Sequence, residues 1–183
     1  MHFIQKKDIP ICFKNKSLKW IKYNHDWKKL KNPCKNNVFT KLLTDEQSNL
    51  CGYCEKLITD SKDAHIEHLK PKYLSASSRF DYNNLIVSCN GINTTCDSSI
   101  SKTQRKKLHS CGHKKNNCYD ENLFLNPTIE RNLEKYFKYD NSTGQIIPTG
   151  FANNKAKYTI EILNLDNERL NLARLNEAKA LNK

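Results

Sequence analysis

The sequence predicts an α+β fold whose core consists of two short strands and a helix joined by a structural zinc site. Two strand-type patterns, at residues 64–69 and 84–89, are separated by a polar loop, and helix-type spacing of apolar residues flanks them. Eight cysteines stand among 183 residues. We expect three segments: a basic N-terminal arm at 1–37, the core at 38–124, and a C-terminal extension at 125–183.

The N-terminal arm, residues 1–37, is dense in Lys and Asn and contains scattered aromatic residues. One apolar helix face is predicted by four residues: Leu18, Ile21, Trp27 and Leu30. Pro33 ends this helix. Residues 38–50 predict a second helix, which leads the chain to Cys51.

The core begins with a strand at residues 64–69, where apolar and polar residues alternate as in a half-buried strand. Pro71 ends the regular structure, and a polar loop at 75–78 follows. A second strand is predicted at 84–89, because its Leu-Ile-Val centre is followed by the turn-forming pair Asn-Gly at 90–91. This part of the chain therefore has two strands joined by a loop.

A short helix beginning at Cys111 completes a strand–loop–strand–helix order. Further elements are predicted in the extension: a hairpin with strands at 136–139 and 145–147 around a turn at 140–144, and helices at 155–165 and 166–181. Asp166 is the predicted N-cap of the last helix.

Lys and Arg number 31 and Asp and Glu 19, so the net charge is 31 − 19 = +12. This balance favours a polyanionic partner such as nucleic acid, although the Lys- and Asn-rich composition of an AT-rich genome would produce the same excess. No stretch approaches the ~20 apolar residues of a membrane span, and the N-terminus lacks the apolar core of a secretory signal. We expect a cytoplasmic protein without membrane contact.

Cysteines in a reducing cytosol favour metal binding over a disulfide framework. Cys51 and Cys54 have the spacing of a zinc knuckle, and together with Cys89 and Cys111 they would form a closed tetrahedral structural Zn²⁺ site. Two alternatives stay open: the four are ordinary buried thiols, or Cys96 replaces one of the two downstream ligands.

A second group of residues combines a general base with ligands for a hard cation: Glu67, His68, Asn84 and His113. Hydrolysis of a phosphodiester at neutral pH requires both. His65 and His68 are alternatively a zinc-binding i, i+3 pair or plain surface histidines. Strand alternation places Glu67 and His68 on opposite faces, so a shared site requires the backbone to turn near His68.

Four motifs carry a family resemblance: CGYCE at 51–55, HIEHLKPK at 65–72, NLIVSCNG at 84–91 and CGHKK at 111–115. As a set they resemble an HNH endonuclease, which implies a ββα-metal core. Three further segments narrow the resemblance to one group of HNH proteins: 117–120, 123–127 and 162–166. They resemble the PtuB-like HNH proteins of retron and Septu-type anti-phage systems. The resemblance extends over about residues 38–175.

The resemblance implies a role for each matching residue. His68 falls on the general base, and Asn84 on the residue that orders the loop and orients His68. Glu67 and His113 fall on ligands of a catalytic Mg²⁺ or other divalent cation. The structural Zn²⁺ ligands of the family fall on four cysteines: Cys51, Cys54, Cys89 and Cys111.

Contacts to nucleic acid are expected from basic residues near these motifs: Lys70, Lys72, Arg105, Lys106, Lys107, Lys114 and Lys115. The 21 residues between Cys89 and Cys111 form an insertion relative to compact HNH domains. This loop either follows the substrate backbone or is merely solvated. Asn116 departs from the Gly that family members often have, which puts the local helix geometry in doubt.

The implied activity is metal-dependent hydrolysis of nucleic-acid phosphodiester bonds, in DNA or in RNA such as tRNA. The chain would be the toxic effector of a retron or Septu-type defence system, controlled by a partner ATPase of the ABC or SMC-like class (PtuA-like). In retrons, a reverse transcriptase and its multicopy DNA are further partners. The segment from Leu125 would dock such a partner or buttress the core. The alternative function is a non-catalytic, zinc-stabilised nucleic-acid-binding module.

Overall fold

The computed structural model describes residues 1–92, 101 and 108–181, and these form an α+β fold with two small two-stranded sheets. The helices are α1 Ile11–Lys22, α2 Cys34–Thr40, α3 Ala76–Phe80, α4 Cys111–Lys115, α5 Asn153–Leu163 and α6 Glu168–Leu181. The strands are β1 Ala64–His68, β2 Leu85–Cys89, β3 Phe137–Tyr139 and β4 Ile146–Pro148. The predicted α+β class is therefore confirmed.

The central sheet pairs β1 with β2 in antiparallel register, from Ala64 opposite Cys89 to His68 opposite Leu85. Both strands lie where the sequence patterns predicted them. Every residue of β2 is buried, whereas β1 is half-buried until His68. Helix α4 contacts this sheet, because the Gly112 amide donates a hydrogen bond to Ser88 Oγ at 3.0 Å. The two strands and the helix thus meet in one place.

The N-terminal prediction of one helix face is wrong in part. Helix α1 ends at Lys22, and Trp27–Lys29 form a separate 3₁₀ turn, so residues on either side do not share a helix face. Phe13 is the buried residue of α1, whereas Leu18 is 77% exposed. Leu30, as predicted, is buried.

The first and second helices are joined covalently. Cys12 of α1 and Cys34 of α2 form a disulfide, with their Cα atoms 5.8 Å apart. This pair differs from the expectation that the cysteines serve metal binding rather than disulfides. Its partners lie 22 residues apart and come together only because α1 packs against α2.

The second helix begins earlier than the predicted residues 38–50. Helix α2 starts at Cys34, directly after Pro33, and continues into a π-helical turn at Lys41–Glu46. Gln47 then anchors the chain to β2: its side chain accepts from the Val87 amide at 2.7 Å and donates to the Val87 carbonyl at 2.9 Å. This anchor brings the following knuckle alongside the sheet.

The C-terminal extension contains the predicted hairpin and both predicted helices. Strands β3 and β4 pair with Tyr139 opposite Ile146. The N-cap of α6 is Asn167 rather than the predicted Asp166, because Asn167 Oδ1 accepts the Leu170 amide at 3.1 Å. Asp166 instead accepts from the Asn171 side chain at 2.8 Å.

One cluster of buried side chains draws residues from all three predicted segments. Ile4, Leu85 and Leu163 are each fully buried in it. A backbone hydrogen bond holds the first residues of the chain against the C-terminal extension, because the Ile4 amide donates to the Pro127 carbonyl at 2.7 Å. Among the described residues, no helix combines the length and the apolar character that crossing a membrane requires.

Candidate functional site

Four cysteines from three parts of the chain converge beside the central sheet: Cys51, Cys54, Cys89 and Cys111. Their sulfur atoms all lie within 4.8 Å of one another. The knuckle supplies two sulfurs, the end of β2 one, and the start of α4 the last. This convergence is the one predicted, and it is close enough to bind a metal ion. Cys96, the alternative ligand, lies outside the described residues.

The protonation of these thiols favours a bound cation. Burial opposes ionisation of the Cys51 thiol, but hydrogen bonds from the other three thiols outweigh it and hold its pKa well below the ordinary value. Hydrogen bonding to Cys51 raises the pKa of Cys111 well above its ordinary value. A divalent cation removes this conflict, because it stabilises all four thiolates together. Cys51 and Cys111 are fully buried, as in closed structural zinc sites.

A second cluster lies against α4 and consists of His65, Glu67 and His113. The imidazole rings of His65 and His113 stack in parallel, with their centroids 4.4 Å apart. His65 Nε2 lies 3.6 Å from Glu67 Oε2. A Cβ at Gly112 would lie 2.9 Å from both of these atoms, so the glycine lets α4 approach the two side chains closely.

Asn90 accepts hydrogen bonds from both rings. His113 Nδ1 donates to the Asn90 carbonyl at 2.9 Å, and His65 Nδ1 donates to Asn90 Oδ1 at 3.3 Å. In neutral His113 this leaves Nε2 with its lone pair, which is the form that binds metals. His65 Nε2 instead faces the Glu67 carboxylate. The sequence reasoning did not assign His65 or Asn90 to this cluster. Strand alternation was the available signal for His65, because it stands two residues before Glu67 on the same face of β1.

Lys115 is the buried positive charge that pairs with Glu67 of this cluster. Its side chain is fully buried, and its ammonium group contacts Glu67 Oε1 at 3.0 Å and the His68 carbonyl at 3.0 Å. The prediction that Lys115 contacts nucleic acid does not agree with this burial, since the ammonium group is already engaged inside the protein. Burial opposes ionisation of the Glu67 carboxyl group. Hydrogen bonding from His65 and the positive charge of Lys115 outweigh this effect and hold the pKa of Glu67 below its usual value.

His68 does not share this cluster. Strand β1 stays paired through His68, so the backbone turn that a site shared with Glu67 requires is absent at that residue. The His68 ring faces Trp27 edge-on, with centroids 4.4 Å apart, and Nε2 donates to the Arg79 carbonyl at 3.0 Å. His68 is only 7% exposed, and burial lowers its pKa to about 4.

Asn84 holds the loop between the two strands. Its side-chain nitrogen donates to the carbonyls of Lys70 at 2.8 Å and Ser78 at 2.7 Å, while its oxygen accepts the Lys70 amide at 2.7 Å. Ser78 immediately precedes Arg79, whose carbonyl receives the hydrogen bond from His68. Asn84 therefore positions the carbonyl that orients His68.

The other basic residues predicted to contact nucleic acid differ in accessibility. Lys72 and Lys114 are exposed. Lys70 is half-buried and pairs with the exposed Glu121 at 3.2 Å. Arg105, Lys106 and Lys107 lie outside the described residues.

The chain was also compared with known proteins. No protein-family model matches it, and no curated protein matches it either.

Proposed function

We propose that this chain is a metal-dependent endonuclease of the HNH type, which hydrolyses phosphodiester bonds in DNA or RNA. One observation carries the proposal: a carboxylate and two imidazole rings meet where an antiparallel strand pair contacts a short helix, directly beside a four-cysteine cluster. The net charge of +12 supports a polyanionic substrate. Structural Zn²⁺ would occupy the cysteines.

Glu67 and His113 would hold the catalytic cation. The donor set fits a divalent ion, because Glu67 Oε2 faces the cluster while Oε1 is engaged by Lys115, and hydrogen bonding to Asn90 leaves His113 Nε2 with its lone pair. Mg²⁺ and Mn²⁺ prefer oxygen ligands such as the Glu67 carboxylate, whereas imidazole is a better ligand for Ni²⁺ and Zn²⁺. When bound, the cation stabilises negative charge on the phosphate and on the departing oxygen.

His68 would act as the general base. It takes a proton from water, the water oxygen attacks phosphorus, and the bond to the 3′ oxygen breaks, which leaves a 5′-phosphate. Its lowered pKa keeps the ring neutral at pH 7, and donation from Nε2 to the Arg79 carbonyl leaves Nδ1 as the accepting atom. This role requires the Trp27 ring to shift off His68, and the backbone after Glu67 to turn so that Nδ1 faces the cation held by Glu67 and His113.

A second candidate function is a non-catalytic, zinc-stabilised nucleic-acid-binding module. The observation in its favour is the position of His68, which is buried under Trp27 and separated from the Glu67 cluster by strand alternation. In such a module, Lys115 is simply the internal counter-charge of Glu67.

The biological setting is proposed on the family resemblance alone. It would be a retron or Septu-type anti-phage system in which a partner ATPase of the ABC or SMC-like class restrains this chain as a toxic effector. A reverse transcriptase and multicopy DNA would join it in a retron. The segment from Leu125 is the proposed docking surface.

The test is a cleavage assay with the full chain, alone and with the ATPase encoded beside it. Labelled duplex DNA, single-stranded DNA and total tRNA are offered with Mg²⁺ or Mn²⁺. We expect His68→Ala, Glu67→Gln and His113→Ala to lower the rate by at least the ~10²-fold that a lost catalytic group costs. His2→Ala, which removes a histidine that pairs with Glu55 and has no proposed catalytic role, is the matched control.

Cleavage that is lost in the three site variants and kept in His2→Ala supports the nuclease and names its substrate. Full-rate cleavage by His68→Ala removes His68 from the mechanism. Binding without cleavage under every condition, equal in the wild type and all variants, favours the binding module instead.

A further inference from the structure

A pocket of about 260 Å³ opens beside β1, next to the His65 cluster. Its floor is formed by Ala64 and Ile66, which point to one face of the strand. Its remaining lining residues are Trp27, Lys35, Asn36, Phe39, Ser61 and His65. No function described above uses the aromatic part of this pocket.

The pocket walls have the chemistry that binds a planar heteroaromatic ring. Trp27 and Phe39 are both half-buried, so each ring is anchored while part of its surface stays accessible. Trp27 is also held by Phe80, with ring centroids 5.6 Å apart. Partly exposed aromatic rings of this kind are the usual stacking platforms for bases of single-stranded nucleic acid. Asn36 and Ser61 add polar groups suited to the edge of a base.

The charge around the pocket favours a ligand that carries phosphate. None of its lining residues is acidic, and the exposed Lys35 stands at its rim. Lys29 and Lys31, which stand between Trp27 and Lys35 in the chain, line a separate cavity of about 150 Å³. A strand entering the pocket therefore meets several positive charges along its backbone.

His65 joins this pocket to the proposed catalytic cluster. His65 is among the residues that line the pocket, and its ring stacks on His113 at 4.4 Å and lies 3.6 Å from the Glu67 carboxylate. We propose that the pocket between Trp27 and Phe39 binds one unpaired nucleobase of a nucleic-acid strand and places the adjoining phosphodiester at His65. This inference rests on the proposed nuclease function and names the substrate class: single-stranded nucleic acid, or a duplex with an unpaired nucleotide.

The pocket excludes a regular duplex for a geometric reason. A paired base is stacked between its neighbours and cannot enter a side pocket until it leaves the stack, which costs unpairing energy. A base that is already unpaired enters without this cost. Preference for unpaired nucleotides is thus the expected property of the site.

The test measures binding by the zinc-loaded protein without added Mg²⁺ or Mn²⁺, and therefore without metal-dependent cleavage. A fluorescent single strand, the same strand with one abasic site, and the matching duplex are titrated with the full chain, and anisotropy is recorded. We expect the intact strand to bind about tenfold tighter than the duplex or the abasic strand, the scale of one stacked base. In a strand that carries 2-aminopurine, the fluorescence of this base should decrease on binding, because it stacks on an aromatic ring.

Two variants locate the base. Phe39→Ala should weaken single-strand binding about tenfold, and Phe151→Ala, which truncates an exposed ring in the C-terminal extension, is its matched control. Asn36→Ala, at an exposed helix position that does not endanger the fold, should lower discrimination between intact and abasic strands, whereas Asn15→Ala should not.

Equal binding of single strand, abasic strand and duplex, unchanged in Phe39→Ala and Asn36→Ala, would overturn the proposal. Equal affinity for free mononucleotides and for the strand would also overturn it, because the ligand would then be a free nucleotide. Base binding without added Mg²⁺ or Mn²⁺, together with no cleavage in any metal, would keep the pocket and refute the nuclease, so the two failures are distinguishable.

Discussion

Two asparagine side chains, Asn90 and Asn84, hold the residues of the candidate site in place. Asn90 accepts hydrogen bonds from two histidine rings, and Asn84 ties Lys70 and Ser78 to the start of β2. Both asparagines could be recognised in the sequence as turn or motif residues. The particular hydrogen bonds could not, because they depend on where carbonyls from distant segments lie.

His68 yields a prediction about pH. Its pKa is about 4 in the folded protein, against 6.5 for an unperturbed histidine. Between these values the unfolded chain binds a proton that the folded chain does not, so folding stability is complete above pH 6.5 and falls as the pH decreases toward 4. At pH 5 the loss is about 2 kcal/mol, since one pKa unit corresponds to about 1.4 kcal/mol.

Urea unfolding of the wild type and of His68→Asn at pH 7.5 and pH 5 checks this prediction. Metal loss and other titrating groups affect both proteins, so the difference between their pH dependences isolates His68. The wild type should lose about 2 kcal/mol more than the variant. Identical pH dependence would show that His68 titrates normally.

At the scale of elements, the approach of α4 to β1 builds the His65 cluster. The helix is only five residues long, and its contact with the sheet depends on Gly112. The sequence predicted a short helix beginning at Cys111, and it begins there. The burial of Lys115 on its inner side was missed, because a run of basic residues in sequence looks exposed whichever way the helix turns.

Gly112→Ala tests this contact. Alanine normally stabilises a helix by roughly 0.5–1 kcal/mol relative to glycine. Here the added Cβ would lie 2.9 Å from Glu67 Oε2 and from His65 Nε2, and overpacking of this kind typically costs 1–3 kcal/mol. We therefore expect net destabilisation by about 1 kcal/mol or more, together with shifted His65 and His113 NMR resonances.

Gly150→Ala is the matched control, because no heavy atom lies within 4 Å of the position its Cβ would take. Its unfolding free energy should change by less than about 0.5 kcal/mol. A Gly112→Ala protein that is as stable as the wild type would show that α4 can shift freely.

At the scale of the whole molecule, the four-cysteine cluster joins segments that are far apart in the chain. Cys51 follows the second helix, Cys89 ends β2 and Cys111 begins α4. A metal ion at this position would hold the knuckle, the sheet and the helix together. Its removal should then affect the entire fold rather than one loop.

Cys51→Ser checks this expectation. Zinc content by mass spectrometry should fall from a single ion per chain to none, and the unfolding free energy should decrease by more than about 5 kcal/mol, since structural zinc supplies much of the folding energy of small domains. Cys118→Ser, at an exposed free cysteine outside the cluster, should leave both quantities unchanged. Zinc-free wild-type protein of undiminished stability would contradict the zinc assignment.

The sequence by itself determined the α+β class, the positions of both strand pairs and the convergence of the four cysteines. The fold class and the strands follow from local periodicity, and the pair Cys51 and Cys54 from its two-residue spacing, which are properties of neighbouring residues. Cys89 and Cys111 were predicted to join that pair from their places at a strand end and a helix start. The tertiary structure alone decided that Trp27 covers His68, that Lys115 neutralises Glu67, and that Cys12 reaches Cys34. Each of these contacts joins segments distant in the chain, and their meeting depends on how whole elements pack.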